Sequence, residues 1–446
     1  MPTPAAARAS LRRNLSLRDL VVFGLLFIGP LAPVGVFGVL DARADGAVAL
    51  VYVLATLAMA CTAWSYAQMS RMIPHAGSVF AYASEGLGRP AGFVAGWMAM
   101  LDYLLIPAVA YLFSGIALHA LVPSVPAWLF TVVAFAVTTY LNLSGIGVAA
   151  RAGRLVLYAE IAVLAVFMVS AVVVLATGTP QRPWATPFAG MGTLGAGAVA
   201  GAISIAVLSF LGFDAIASFA EESAGDARQV GKAIVICLVA AGMVFVAQTY
   251  LVGVLSATTP AELAANPARQ GTAFYDVARL AVGAWLATVL AVTKAVGPAF
   301  SAMTGQAAAA RLLFGMARDG RLPRALALVD ARHGTPRAAL ATTALLTLTV
   351  AVWAARRDDG LSVLVSIVDV GALAAFTLLH ASVVGYYLVQ RKGVAGVAHW
   401  IVPIVGALVT IWVLLEASAM AQGVGAVWLV LGGIAFVASR RERATA

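Results

Sequence analysis

Seven ionisable side chains stand inside long apolar stretches of the chain: Asp102, Glu160, Asp214, Glu221, Glu222, Lys294 and Glu416. A charge surrounded by hydrocarbon costs free energy, so each is a functional candidate until a partner explains it. The chemistry open to them is electrostatic. A buried carboxylate can hold an ammonium group or take up a proton, and a lysine can neutralise it. Covalent chemistry finds no support: there is no His-Glu-x-x-His and no Gly-x-Ser-x-Gly. The histidines His75, His119, His333, His380 and His399 are scattered without ligand spacing. No enzyme activity, metal or cofactor is expected. Cys61 and Cys237 lie inside apolar runs, where a thiol behaves as a small hydrophobe.

The elements that position these charges follow from composition. Of 446 residues, 62% are hydrophobic and only 11% charged, against about 25% charged in soluble domains. A water-soluble fold is excluded. The net charge of +9 is spread over short loops between apolar runs, without a basic stripe interleaved with aromatics, so nucleic acid is not an expected partner. A lipid bilayer is. The apolar run from Leu20 to Leu40 exceeds the roughly 7–15 residues of a cleaved signal and is read as a first span.

A spanning helix needs about 20 apolar residues. Helices are expected near 20–40, 47–69, 90–118, 125–142, 155–177, 196–220, 231–256, 278–315, 337–354, 361–389, 399–417 and 422–438. Residues 1–19 form an amino-terminal segment, 20–438 a single transmembrane domain and 439–446 a tail. With the amino terminus in the cytoplasm, inner loops hold 21 lysines and arginines and outer loops 6, with Lys294 inside a span. Loops rich in these residues stay in the cytoplasm, so both termini are expected there, in a cell membrane.

Two spans are interrupted at matching depth. The first carries Gly29-Pro30-Leu31-Ala32-Pro33-Val34-Gly35 and the sixth Leu208-Ser209-Phe210-Leu211-Gly212-Phe213-Asp214. Proline deletes a backbone donor and glycine permits unusual dihedrals, so both helices should unwind. Unwound backbone at membrane depth is tolerable only inside protein or beside a wet cavity. Matching breaks in two halves point to a midplane binding site, with helices one to five and six to ten as inverted repeats, about 20–177 and 196–389, and the helices of 399–438 appended.

Four further strings carry a resemblance. They are Pro74-His75-Ala76-Gly77-Ser78-Val79-Phe80-Ala81-Tyr82, Leu101-Asp102-Tyr103-Leu104-Leu105-Ile106-Pro107, Ser209 to Asp214 running on to Glu221-Glu222-Ser223, and Arg311-Leu312-Leu313-Phe314-Gly315-Met316-Ala317-Arg318-Asp319-Gly320. In that order and on those helices, the chain resembles the amino acid, polyamine and organocation (APC) transporter superfamily, most closely its putrescine-importer-like bacterial members, from roughly Leu17 to Tyr387. The resemblance implies an all-α polytopic membrane protein of about twelve transmembrane helices with a LeuT-like 5+5 inverted repeat. It also implies alternating access driven by protons or by exchange, on an amine or amino acid substrate. Oligomeric state is left open.

The expected substrate-binding set is Gly29, Leu31, Ala32 and Gly35 at the first break, Tyr103 on the third helix, and Phe210, Gly212, Phe213 and Asp214 at the second. Asp214 either pairs with a substrate amine or caps exposed amides. Tyr103 can face an ammonium by cation–π attraction, about 0.5–2 kcal/mol. Phe210 and Phe213 form a lid or simply pack. Coupling and gating fall to Glu160, Glu221, Glu222 and Lys294. Where many relatives carry a lysine, this chain has Glu160, which either takes up the coupling proton or pairs with Arg154 or Lys294. Glu221 and Glu222 are an inner gate or a solvated helix end. Ser301 and Thr304 give a sodium site only weak support. Pro30 and Pro33 remove amides that would hold a substrate carboxylate, and acids outnumber bases in the spans, so a cationic amine such as putrescine is favoured over a neutral amino acid. A channel and a transporter-like sensor are the rival classes.

Overall fold

The computed structural model describes residues 13–74, 77–192, 195–226, 228–330, 335–357, 360–392, 394–416 and 419–445. Among the described residues ten helical segments, the broken first pass counted as one, are long and apolar enough to cross a membrane, and two shorter apolar helices, Ala127–Leu143 and Gly197–Leu208, accompany them. Together they give the all-α polytopic fold and the approximate span count expected.

The first pass is α1 (Leu17–Ile28), a 3-10 turn (Ala32–Gly35) and α2 (Phe37–Arg43). Then come α3 (Val48–Met72), the short α4 (Val79–Gly86), α5 (Arg89–Leu121), α6 (Ala127–Leu143) and α7 (Ile146–Thr177). After the small α8 (Thr186–Ala189), the sixth pass is α9 (Ala196–Leu208) and a 3-10 segment (Asp214–Glu222). The second half continues with α10 (Arg228–Leu255), the short α11 (Pro260–Ala265) and α12 (Ala273–Ala281), α13 (Ala284–Arg318), α14 (Arg337–Ala355) and α15 (Gly360–Val384), which runs into a π-helical turn at Gly385–Val389. The helices α16 (Ala398–Leu415) and α17 (Ala419–Thr445) complete it. We call the side where α1 begins the amino face and the other the far face.

Boundaries depart from the sequence reading at two places. The span expected at 278–315 is two helices, because Gly283 at φ 140° breaks the chain between α12 and α13. The helix expected at 155–177 begins at Ile146, since Arg151 and Arg154 extend it past the apolar run rather than ending it.

Packing between the halves is paired. The most extensive contacts join α5 to α13 and α3 to α10, α1 packs on α10 as α9 packs on α3, and α6 meets α14. Third meets eighth, second meets seventh and fourth meets ninth.

Both interruptions are real, and their loose polar groups have partners. Gly29 sits at φ 77° and ends α1. Two carbonyls there are taken up by side chains from the other half: Ser301 Oγ donates to Phe27 O at 2.6 Å and Gln248 Nε2 to Pro30 O at 3.0 Å. At the second break Gly212, at φ 114°, turns the chain, and its amide donates to Asp214 Oδ1 at 3.2 Å. A Cβ on Gly212 would lie 2.7 Å from the Phe27 ring, so the two breaks touch.

At the amino face, Leu15 lies in a parallel bridge with Ser223: its amide donates to Glu222 O and its carbonyl accepts from the Ala224 amide, both at 2.9 Å. At the far face Arg182 makes two hydrogen bonds of 2.8 Å to the Asp41 carboxylate and also donates to Ser256 Oγ and Thr258 O, with Asp41 and Arg182 both buried. This ion pair ties the end of α2 to the loops before α8 and α11.

Candidate functional site

A cavity of about 180 Å³ opens beside the first break. Gly29, Leu31, Ala32 and Gly35 form one wall, with Phe27 below and Phe113 of α5 above. Leu208, Ser209 and Leu211 bring the second break to it, and α13 contributes Lys294, Gly297 and Ser301. Glu160 enters from α7. Apart from these polar groups the lining is aliphatic and aromatic, the usual make-up of a small-molecule site.

Glu160 and Lys294 are the ionisable residues in the lining. Glu160 is 3% exposed, and its Oε2 is buried with no hydrogen-bond partner among the described residues. Its carboxylate occupies the notch left by Gly297: a Cβ there would lie 1.9 Å from Glu160 Oε1. The Lys294 stem reaches the first break, its Cε 3.7 Å from where a Gly35 Cβ would stand. Glu160 and Lys294 form no ion pair within 4.0 Å among the described residues. Arg154 pairs instead with Asp19 at 2.8 Å.

Amides at the first break are largely spent. Gly29, Ala32, Val34 and Val36 each donate to a nearby carbonyl, those of Leu25, Gly29, Leu31 and Pro33, while Pro30 and Pro33 have no donor. Little is left to cradle a carboxylate. Ser301 and Thr304 are likewise engaged, with Phe27 O and Phe300 O.

The remaining expected residues lie elsewhere. Asp214, 1% exposed, accepts from Tyr103 Oη at 2.6 Å, and neither residue lines the cavity. Phe210 and Phe213 are buried in an aromatic cluster, Phe210 beside Tyr52 and Phe245, Phe213 beside Tyr66 and Phe376. Gly212 packs on Phe27 outside the lining. Glu416 is exposed at the end of α16.

Toward the amino face, two ion pairs join the second break to α13. Glu222 is buried against Arg311, which donates to both its carboxylate oxygens and stacks over Phe219 at 4.3 Å. Phe219 stacks in turn on Phe23 at 5.2 Å. One layer further out, Arg318 donates to Glu221 at 2.8 and 2.5 Å.

Three charged residues escaped the sequence reading. Arg311 falls within the span expected at 278–315 without standing out among its charges; it lies inside α13, seven residues before Arg318 and so on the same helix face. Asp369 falls within the span expected at 361–389 and could have been singled out there. Asp41 lay one residue past the predicted end of the first helix.

A bundle of membrane-spanning helices with two facing breaks, a cavity between them and buried ion pairs toward one face defines the class: a multi-pass membrane permease. The family model "Amino acid permease" matches residues 20–437, and the chain belongs to that family. It is 29% identical to the low-affinity putrescine importer of Escherichia coli (strain K12) over 96% of this chain and 94% of that protein. It is also 27% identical to a branched-chain amino acid permease of Bacillus subtilis (strain 168), over 84% of this chain and 81% of the relative. A methylthioribose transporter of the same organism is 26% identical, over 97% and 94%. The family and these relatives are transporters rather than enzymes.

Proposed function

We propose that this chain is a secondary active transporter that imports a small cationic amine such as putrescine by alternating access, driven by protons. It sits in the cell membrane with the amino face, and both termini, in the cytoplasm. The paired packing of the halves supports inverted repeats at about 20–177 and 196–389.

One observation carries the substrate reading: the balance of buried charge along the pathway. Asp41 with Arg182 and Glu222 with Arg311 cancel. What is left at mid-membrane depth is Glu160, Asp102, Asp214 and Asp369 against Lys294. Uncompensated negative charge in a low-dielectric interior attracts a cation and repels an anion. Glu160, held in the Gly297 notch with an oxygen to spare, is the group that meets the solute's ammonium, with the Phe27 and Phe113 rings beside it. The Arg311–Glu222 and Arg318–Glu221 pairs are the inner gate.

Lys294 favours a second reading, a neutral amino acid permease or exchanger of the same fold, because its ammonium can pair with a substrate carboxylate that the spent amides cannot hold. Uptake into proteoliposomes decides. With an acidic exterior, labelled putrescine should accumulate and a protonophore should abolish accumulation. Uptake of neutral amino acids alone, lost in Lys294→Met, would replace the first reading by the second.

A further inference from the structure

One turn below the cavity wall, a second set of acids converges that the solute-facing residues do not use. Asp102 on α5 interacts electrostatically with Asp214 at the second break and with Asp369 on α15. The approach of α15 depends on Gly371, where a Cβ would lie 2.8 Å from the Asp102 amide nitrogen. Among the described residues no basic nitrogen lies within 4.0 Å of any of the three carboxylates.

The groups that face this cluster are hydroxyls. Tyr103 donates to Asp214 Oδ2. Tyr66 of α3 meets the Tyr82 ring edge-on at 6.1 Å, interacts electrostatically with Asp214 and Asp102 and lies beside Ser78. Ser78 and Tyr82 belong to the start of α4, at the amino face. Three atoms of the group are buried without a hydrogen-bond partner among the described residues: Asp102 Oδ1, Ser78 Oγ and Tyr82 Oη. Asp102 is 3% exposed, and Ser78 and Tyr82 not at all. Buried polar atoms are almost always satisfied, so orphans gathered around one acid cluster mark where exchangeable protons and water belong. No group of three or more acids, histidines or cysteines among the described residues is arranged to hold a metal ion. A proton needs no such polyhedron.

We propose that Asp102, Asp214 and Asp369 form the site that carries the coupling proton, and that Tyr103, Tyr66, Ser78 and Tyr82 pass it to the amino face. This rests on the reading of the chain as a proton-driven transporter. A proton from the cavity side adds to a carboxylate oxygen, giving a neutral carboxyl. It leaves along the hydroxyls to water at the amino face, so one O–H bond forms and one breaks. Glu160 shares its cavity with an opposite charge, whereas the inner acids have no basic partner, so one proton bound among them relieves part of their charge and leaves the remainder to draw the cation.

The test compares wild type, Asp102→Asn and Asp369→Asn in proteoliposomes, by two measurements. Gradient-driven accumulation of labelled putrescine should fall at least about tenfold in both variants. Counterflow against preloaded unlabelled putrescine, which needs no net proton movement, should persist. Retained accumulation in both variants overturns the proposal. So does loss of counterflow as well in a monodisperse variant, and Asp102→Glu should then rescue neither measurement. If wild type carries a neutral amino acid and not putrescine, the substrate reading falls, and the same two measurements with that solute still decide where the proton rides.

Discussion

Gly297 is a clean test of the site at single-residue scale, because its missing side chain is the space that the Glu160 carboxylate fills. Gly297→Ala should push that carboxylate aside at about 1–3 kcal/mol of overpacking, so initial uptake should drop roughly tenfold while expression and elution profile hold. Glu160→Gln should do the same without any change of shape. If both variants transport like wild type, Glu160 does not meet the solute. The glutamate itself was legible in the sequence as a charge inside an apolar helix. Its notch was not, since that depends on a glycine 137 positions away across the bundle. The same limit hid the Tyr103–Asp214 hydrogen bond: both residues stood out by type and by string, but which way each side chain turns is a matter of packing.

Elements tell a similar story about the gate. Glu222 and Arg311 are both almost completely buried, so Glu222→Gln strands the guanidinium and should cost about 3–5 kcal/mol, seen as a lower melting temperature in detergent. Replacing both partners together, Glu222→Leu with Arg311→Met, should restore most of that stability, because an apolar pair of like volume carries no desolvation penalty. Its transport should nonetheless suffer, with the amino face more open to thiol reagents at cysteines introduced beside the gate. Arg318→Ala breaks a pair whose arginine is 36% exposed and should change stability by only about 0–1 kcal/mol. Both helix breaks were readable, because proline and glycine act through local backbone geometry. The buried pairing of Arg311 was not, because a residue's place in a predicted helix does not show which acid of another segment it meets.

At the scale of the whole molecule, the charge asymmetry of the loops fixes the expected topology, and reporter fusions check it. A fluorescent protein fused at residue 446 should fluoresce, whereas alkaline phosphatase there should be inactive. The reverse would invert every assignment of inside and outside. The far-face ion pair supplies another whole-molecule test. Asp41→Asn should cost about 3–5 kcal/mol, measured by thermal melting, since Arg182 is buried with it. The fold as a whole was the most legible part of the sequence, because a hydrophobic span needs only length and composition to declare itself. The small elements α8, α11 and α12 went unseen for the same reason: they are too short and too mixed to register.

The backbone bridge between Leu15 and the Glu222–Ala224 segment has a mechanical meaning. It splices the two segments that flank the Glu222–Arg311 pair at their tips, so neither can swing away at the amino face without dragging its counterpart or breaking the two hydrogen bonds of the splice. On the proposed import reading, release to the inside would move both segments together, and a proline at position 15, which forfeits one of those hydrogen bonds, should speed that stroke more than it weakens the resting protein.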